Sequence, residues 1–81
     1  MTHPNHRRAN LVRALQANTL HCHGRQGRIM IADPGTTPAR TAIVTTAARH
    51  HYLYRRRYTD SATSQTWMVF SLPAALTKGY A

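Results

Sequence analysis

Thr66-Trp-Met-Val-Phe-Ser-Leu72 is the stretch of sequence that decides the predicted fold. Its β-branched and aromatic residues favour an extended chain. Successive side chains of a strand point to opposite faces, so Met68, Phe70 and Leu72 share one face. We therefore predict a strand over 66–72 whose apolar face is turned toward a core.

A second strand is predicted over 28–33, where Ile29 and Ile31 share a face. It runs into Asp33-Pro-Gly-Thr-Thr-Pro38, a turn in which proline presets one backbone angle and glycine supplies the other. Residues 60–65 are polar and predict a loop before the strand over 66–72. These signals together indicate an antiparallel sheet.

An amphipathic helix is predicted over 5–18, because its apolar residues recur at three- and four-residue spacing. Leu11 and Leu15 lie on the apolar side with Val12 close by, so this helix is expected to cover one face of the sheet. The glycines within 19–27 mark a turn or loop after it.

The segment between the two strands is ambiguous. Its β-branched residues favour strands over 40–47 and 50–58. However, Thr37 followed by Pro38 is also a good helix start, since proline is tolerated in the first turn. We predict the two strands, with one long helix over 38–58 as the alternative.

The length of the chain limits the architecture. Its 81 residues allow one domain, 1–81, with a thin core. The predicted fold class is α+β, with an N-terminal helix packed on a three- to four-stranded antiparallel sheet. The other face of that sheet is expected to be open or used for binding.

The charge balance is the strongest signal in the composition. The chain has 11 Lys and Arg against two acids, Asp33 and Asp60, which gives a formal net charge of +9. Such an imbalance destabilises the compact state through self-repulsion, so a polyanion or an acidic surface is expected to offset it. All cations except Lys78 are arginine, which contacts phosphate in a bidentate manner and stacks on aromatic rings.

Other features of the sequence argue against an enzyme and against a membrane protein. Both carboxylates lie in predicted turns, Cys22 has no orienting acid near it in sequence, and no phosphate-binding glycine loop is present. We therefore expect no catalytic residue, no cofactor and no small-molecule substrate. A single cysteine allows no internal disulfide, which favours a reducing, cytoplasmic setting. Apolar runs are far shorter than the ~20 residues that span a bilayer, so no membrane partner is expected.

The histidines do not form a recognisable metal site. Structural zinc sites pair Cys or His at regular spacings, and the possible ligands here fit no such pattern. These ligands are His3, His6, His21, Cys22, His23, His50 and His51. We expect no bound metal, and we expect surface histidines that gain positive charge below pH ~6.5.

Arg49-His-His-Tyr-Leu-Tyr-Arg-Arg-Arg-Tyr58 combines arginine and tyrosine most densely. Alternate residues of a strand share a face. The predicted faces are His50, Tyr52, Tyr54, Arg56 and Tyr58 on one side, and Arg49, His51, Leu53, Arg55 and Arg57 on the other. Tyrosines two residues apart beside an arginine suit base stacking combined with phosphate pairing, and Trp67 is placed to join them. The competing interpretation puts the tyrosines in the core and leaves the arginines as a solvated edge.

A second basic cluster, His6-Arg7-Arg8, lies at the start of the predicted first helix. Cations are unfavourable there, because the helix dipole already places positive charge at that end. A bound phosphate, contacted by both arginines and by exposed N–H groups, would explain the placement. The alternative is a frayed terminus with solvated charges.

These observations predict a small basic protein that binds nucleic acid with little sequence specificity, because contacts to phosphate carry no sequence information. The predicted contact residues are Arg7, Arg8, Arg49, Tyr52, Tyr54, Arg55, Arg56 and Arg57. The alternative is an inhibitor or adaptor of phage or mobile-element type that docks on an acidic groove of a host protein complex, with Tyr and Arg as hot spots. Inhibitors of CRISPR complexes are an analogy of size and composition alone.

Overall fold

Two helices and four strands make up the described part of the chain. The computed structural model describes residues 4–15, 19–21 and 27–74, with side chains for 9–15 and 27–74. The elements are α1 (Pro4–Leu15), β1 (Thr19–His21), β2 (Arg28–Ala32), α2 (Thr37–Arg49), β3 (Leu53–Thr59) and β4 (Thr66–Ser71). Within these residues, neither helix combines the length and the apolar character needed to cross a bilayer.

β4 lies inside a four-stranded antiparallel sheet whose strand order is β1-β2-β4-β3. Phe70 of β4 sits between Ile29 of β2 and Tyr54 of β3, so this strand holds the sheet together. The strands predicted over 66–72 and 28–33 are confirmed, each ending one residue earlier. β3 and β1 form the two edges of this sheet.

The buried side of the sheet is an apolar face built by strand alternation. Ile29 and Ile31 of β2 lie opposite Phe70 and Met68 of β4, and all four are inaccessible to solvent or nearly so. The remaining core residues are Leu11 from α1, Ala47 from α2, Tyr52 just before β3 and Leu72 just after β4. Leu15 is half-buried and packs against the same core. Both helices therefore lie on this side, and the predicted α+β fold is confirmed.

α2 corrects the strand that was predicted over 40–47. Thr36 caps the helix, because its Oγ1 accepts a hydrogen bond from the Ala39 N–H at 3.4 Å, and Pro38 lies in the first turn. Each of the five β-branched residues over 40–47 disfavours a helix by at most ~0.7 kcal/mol, and the cap offsets about 1 kcal/mol of that sum. The burial of Ala47 against the sheet adds the tertiary contact that local preference cannot anticipate.

α2 ends in a turn at His50 and His51 that brings the chain back to the core. His51 has φ 69°, a left-handed conformation that costs a side-chain-bearing residue about 1–2 kcal/mol. The N–H of Tyr52 then donates to the Ala47 carbonyl at 2.9 Å, and the Tyr52 side chain is fully buried. The alternative of a helix over 38–58 is therefore correct up to this turn. Beyond the turn, the strand predicted over 50–58 is confirmed as β3, which begins at Leu53.

Gly27 controls how closely the chain approaches the core before β2. Its φ is +56°, and a Cβ at this position would lie 2.6 Å from Leu72 Cδ1. The left-handed backbone favours glycine, and a Cβ at this position would force the buried Leu72 side chain to shift. The loop predicted over 19–27 is wrong over its first three residues, which form β1, and residues 22–26 of that prediction lie outside the described residues.

Candidate functional site

A β-bulge in β3 changes which side its arginines face. Pairing with β4 shifts by one residue between Tyr54 and Arg56, which makes Arg55 the additional residue. A bulge sets two residues of one strand against one residue of the other. Arg55 and Arg56 consequently line the same cleft, whereas Arg57 lies opposite Met68 on the other face.

The face of the sheet away from both helices, called the open face here, collects residues from three strands. Cross-strand pairing sets its membership, since directly opposed residues share a face. Its members are Arg28, Met30, Ala32, Leu53, Arg55, Arg56, Tyr58, Trp67, Val69 and Ser71. Leu53 and Tyr58 are 40% and 43% exposed, so this face presents large apolar surface as well as charge.

Five of these residues, three of them arginines, line one depression, called the arginine cleft here. It has a volume of about 240 Å³, and it is lined by Arg28, Arg55 and Arg56 over a floor of Val69 and Ser71. The Nε of Arg55 donates to Ser71 Oγ at 2.8 Å, which fixes that guanidinium over the sheet. Within the described residues, none of the three arginines forms an ion pair. The cleft is therefore a concentration of uncompensated positive charge.

Aromatic rings lie next to the arginine cleft. The guanidinium carbon of Arg56 lies 5.8 Å from the centre of the Tyr58 ring, within the range of a cation–π contact. Tyr58 is paired directly with Trp67 across β3 and β4. Cation and rings thus form one continuous patch along the open face.

The helix side of the same strands holds a compensated charge cluster around Asp33. Arg40 Nε donates to both carboxylate oxygens at 2.9 and 3.0 Å, the Gly35 N–H donates at 2.8 Å, and Arg57 Nη1 lies 3.8 Å away. The Asp33 side chain is only 5% exposed. Burial alone would raise the pKa of Asp33, but the Gly35 N–H and the two guanidinium groups hold the pKa below its ordinary value of 3.8.

Several predicted contact residues are not on the open face. Tyr52 is fully buried, as the competing core interpretation predicts, so it is removed from any exposed surface. Tyr54 lies on the helix side, where its ring packs on the core, and Arg49 ends α2 on that same side. The side chains of Arg7 and Arg8 lie outside the described residues.

The two predicted faces of the stretch 49–58 are therefore wrong in detail. Arg56 and Tyr58 share a face as predicted, but Leu53 and Arg55 lie there too. The bulge is the physical reason, because it shifts the alternation by one residue partway along the strand.

Arg28 is a site residue that the sequence interpretation missed. A usable signal was present, since Arg28 precedes the buried Ile29 in a strand and must face away from the core. Its closeness to Arg55 and Arg56 was not readable, because it depends on β2 and β3 flanking the same strand, β4.

Among the side chains that the structure describes, the carboxylates and possible metal ligands do not form a second site. Asp60 accepts a hydrogen bond from the Ala62 N–H at 3.0 Å in a turn, and Asp33 is held by its arginines. Among the described side chains, no three of His, Cys, Asp and Glu come together. His3, His6, His21, Cys22 and His23 lie outside those side chains.

Comparisons with known proteins return no match. No family model, no curated protein and no solved structure matches this chain. Function is therefore inferred from the side chains of the open face.

Proposed function

We propose that this chain is a small non-enzymatic binding protein that contacts nucleic acid through the open face, with little sequence specificity. The arginine cleft carries the proposal, because three guanidinium groups line one depression and none has an acidic partner among the described residues. Like charges that share a cleft repel each other, and an anion placed among them reverses the sign of the interaction.

The chemistry of the open face favours a phosphate backbone. Arginine binds phosphate in a bidentate, planar manner. Tyr58 and Trp67 add rings beside these cations, and this combination binds bases and backbone together. The net charge of +9 adds long-range attraction to a polyanion. Arg7, Arg8 and Arg49 stay predictions for additional backbone contacts.

The proposal also covers sequence specificity, catalysis and location in the cell. Contacts from arginine to phosphate position a protein but do not distinguish sequences. We assign no catalytic residue, cofactor or small-molecule substrate, since Asp33 serves an ion-pair cluster and Asp60 serves a turn. We place the protein in the cytoplasm, because a chain with one cysteine has no disulfide to protect.

A pair of double variants with equal charge change tests the proposal. Arg55→Gln with Arg56→Gln removes charge from the arginine cleft, and Arg13→Gln with Arg57→Gln removes the same charge from exposed positions on the helix side. Binding of a labelled oligonucleotide is measured by fluorescence anisotropy over a series of salt concentrations. The first variant should flatten the slope of log affinity against log salt by about 0.7 on single strands, or about 0.9 on duplex DNA, for each phosphate contact that is lost.

The control variant should keep most of the parental slope. If both variants lose affinity equally, the open face has no special role and the proposal fails. Purification with and without nuclease addresses the acidic-partner alternative. A protein that stays bound after nuclease treatment and is lost from the Arg55→Gln, Arg56→Gln variant would assign the cleft to an acidic protein surface instead.

A further inference from the structure

The arginine cleft has the size and the chemistry of a phosphate site. Its volume is about 240 Å³, and an enclosed cavity of about 150 Å³ already holds benzene, a larger group than phosphate. Arg55 is oriented by its hydrogen bond to Ser71, which leaves other N–H groups of that guanidinium for a ligand. Arg28 and Arg56 reach the same depression from strands on either side of β4.

A platform for a base lies next to the cleft on the same face. Tyr58 follows Arg56 by two residues, about 6.6 Å along an extended strand. Trp67 is directly opposite Tyr58, at the ~4.5–5.5 Å Cβ separation of cross-strand pairs. Tyr58 is 43% exposed and carries the Arg56 guanidinium over its ring. A phosphate and the base beside it would therefore meet complementary groups at the same time.

Such a platform is useful to a single strand and not to a duplex. In a duplex the bases stack on each other, so their faces are closed to side chains. In a single strand the bases are free to stack on aromatic rings. The major groove of B-DNA admits a helix or a two-stranded ribbon, whereas the rings here lie on the face of a broader sheet.

Building on the nucleic-acid function proposed above, we infer that the open face is a single-strand site. The arginine cleft holds one backbone phosphate, and Tyr58 with Trp67 stacks the adjoining base. The bulge at Arg55 makes the site possible. A regular strand would place only one of Arg55 and Arg56 on this face.

The experiment compares a labelled oligothymidine of about 12 nucleotides with a duplex of the same length, by anisotropy at matched salt. The parent should bind the single strand at least about tenfold more tightly than the duplex. Tyr58→Ala should weaken single-strand binding by about 5- to 150-fold and leave duplex binding unchanged. Tyr54→Ala is the matched control, since Tyr54 is 40% exposed on the same strand but faces the helices. This control should keep the single-strand affinity.

Arg28→Gln tests the phosphate half of the inference without touching the arginine run of β3. It should weaken single-strand binding and remove part of the ~0.7 of salt slope that one phosphate contributes, and it keeps the test decisive if Tyr58→Ala unfolds. Inorganic phosphate is the separate probe. At fixed ionic strength it should compete no better than sulfate, and strong specific competition would assign the cleft to a free phosphate and overturn the inference.

The outcomes separate this inference from the function on which it rests. Equal affinity for single strand and duplex, or equal losses in Tyr58→Ala and Tyr54→Ala, would overturn the single-strand site and leave nucleic-acid binding standing. Absence of binding to both nucleic acids at low salt would remove both.

Discussion

On the helix side of the sheet, Arg40 and Arg57 share a buried carboxylate, and apolar residues are closed off from water. On the open face, none of the described residues that line the arginine cleft is acidic, and the large side chains of Leu53 and Tyr58 stay exposed. The same three strands build both faces. The difference shows that one side of this sheet holds the fold together while the other side is free to carry charge that the fold does not need.

Val69 is an exception to the difference in burial between the two faces. It is 8% exposed, close to the values of the core, yet it lies on the open face beneath the arginine side chains. Arginine stems cover apolar surface while their charged ends stay in water. Burial alone therefore does not identify the core, and the two faces have to be separated by what each side chain contacts.

The largest expected effect comes from matched truncations on the two faces. Phe70→Ala should lower the free energy of unfolding by about 3–5 kcal/mol, enough to unfold much of a domain this small. Val69→Ala should lower it by only about 1–2 kcal/mol, the value of two buried methyl groups. Urea unfolding followed by the fluorescence of Trp67 measures both. Phe70→Leu replaces the first variant if that protein cannot be purified, and equal losses at positions 69 and 70 would erase the distinction between the faces.

Much of this fold could be predicted from sequence, because its core strands alternate regularly. Phe70 and Ile29 fall on buried faces that period-two alternation identifies directly. The error over 40–47 has a different origin. The β-branched residues there disfavour a helix by tenths of a kcal/mol each, and the Thr36 cap, the burial of Ala47 and the packing of Ile43 and Val44 against the core act in the opposite direction.

A smaller effect on the free energy of unfolding is expected from substitution of Asp33, the carboxylate that Arg40 and Arg57 share. Asp33→Asn should lower the free energy of unfolding by about 1.5–3 kcal/mol at pH 7, because it removes the charge from the hydrogen bonds with Arg40. The pKa of Asp33 is lower in the folded protein than its ordinary 3.8. The stabilisation is therefore complete above pH 3.8 and is lost as the pH falls through the lower, folded value.

Urea midpoints of the parent and of Asp33→Asn should accordingly converge as the pH is lowered below 3.8. Asp60→Asn is the control, since Asp60 accepts only a turn hydrogen bond that asparagine can also accept. A gap between parent and Asp33→Asn that persists unchanged in acid would show that the arginine cluster is not what stabilises this side.

The smallest expected effect is on the open face. Arg55→Gln with Arg56→Gln should change the free energy of unfolding by less than about 1 kcal/mol, because exposed charges contribute little and these repel each other. Any gain in stability should be larger at low salt, where that repulsion is least screened. Thermal unfolding at two salt concentrations measures this. A loss above about 2 kcal/mol would mean that the open face supports the fold after all.

The arrangement of the open face was beyond the reach of sequence alone. Alternation assigned Arg55 to one side and Arg56 to the other, and one additional residue in the ladder placed them together. Nothing in three consecutive arginines shows which one is additional. Tyr52 was misplaced for a related reason, since the left-handed turn at His51 directs it into the core before β3 begins.

The bulge also determines how this chain tolerates a change in its length. Deleting any one of the three consecutive arginines gives the same shortened sequence, in which Leu53 through Thr59 can pair with β4 in a regular ladder. Every remaining side chain would keep its partner and its face, and the loss would be one cation of the arginine cleft with its hydrogen bond to Ser71. A single-codon deletion, which elsewhere in a strand would turn core residues outward, would here act as a one-step adjustment of charge.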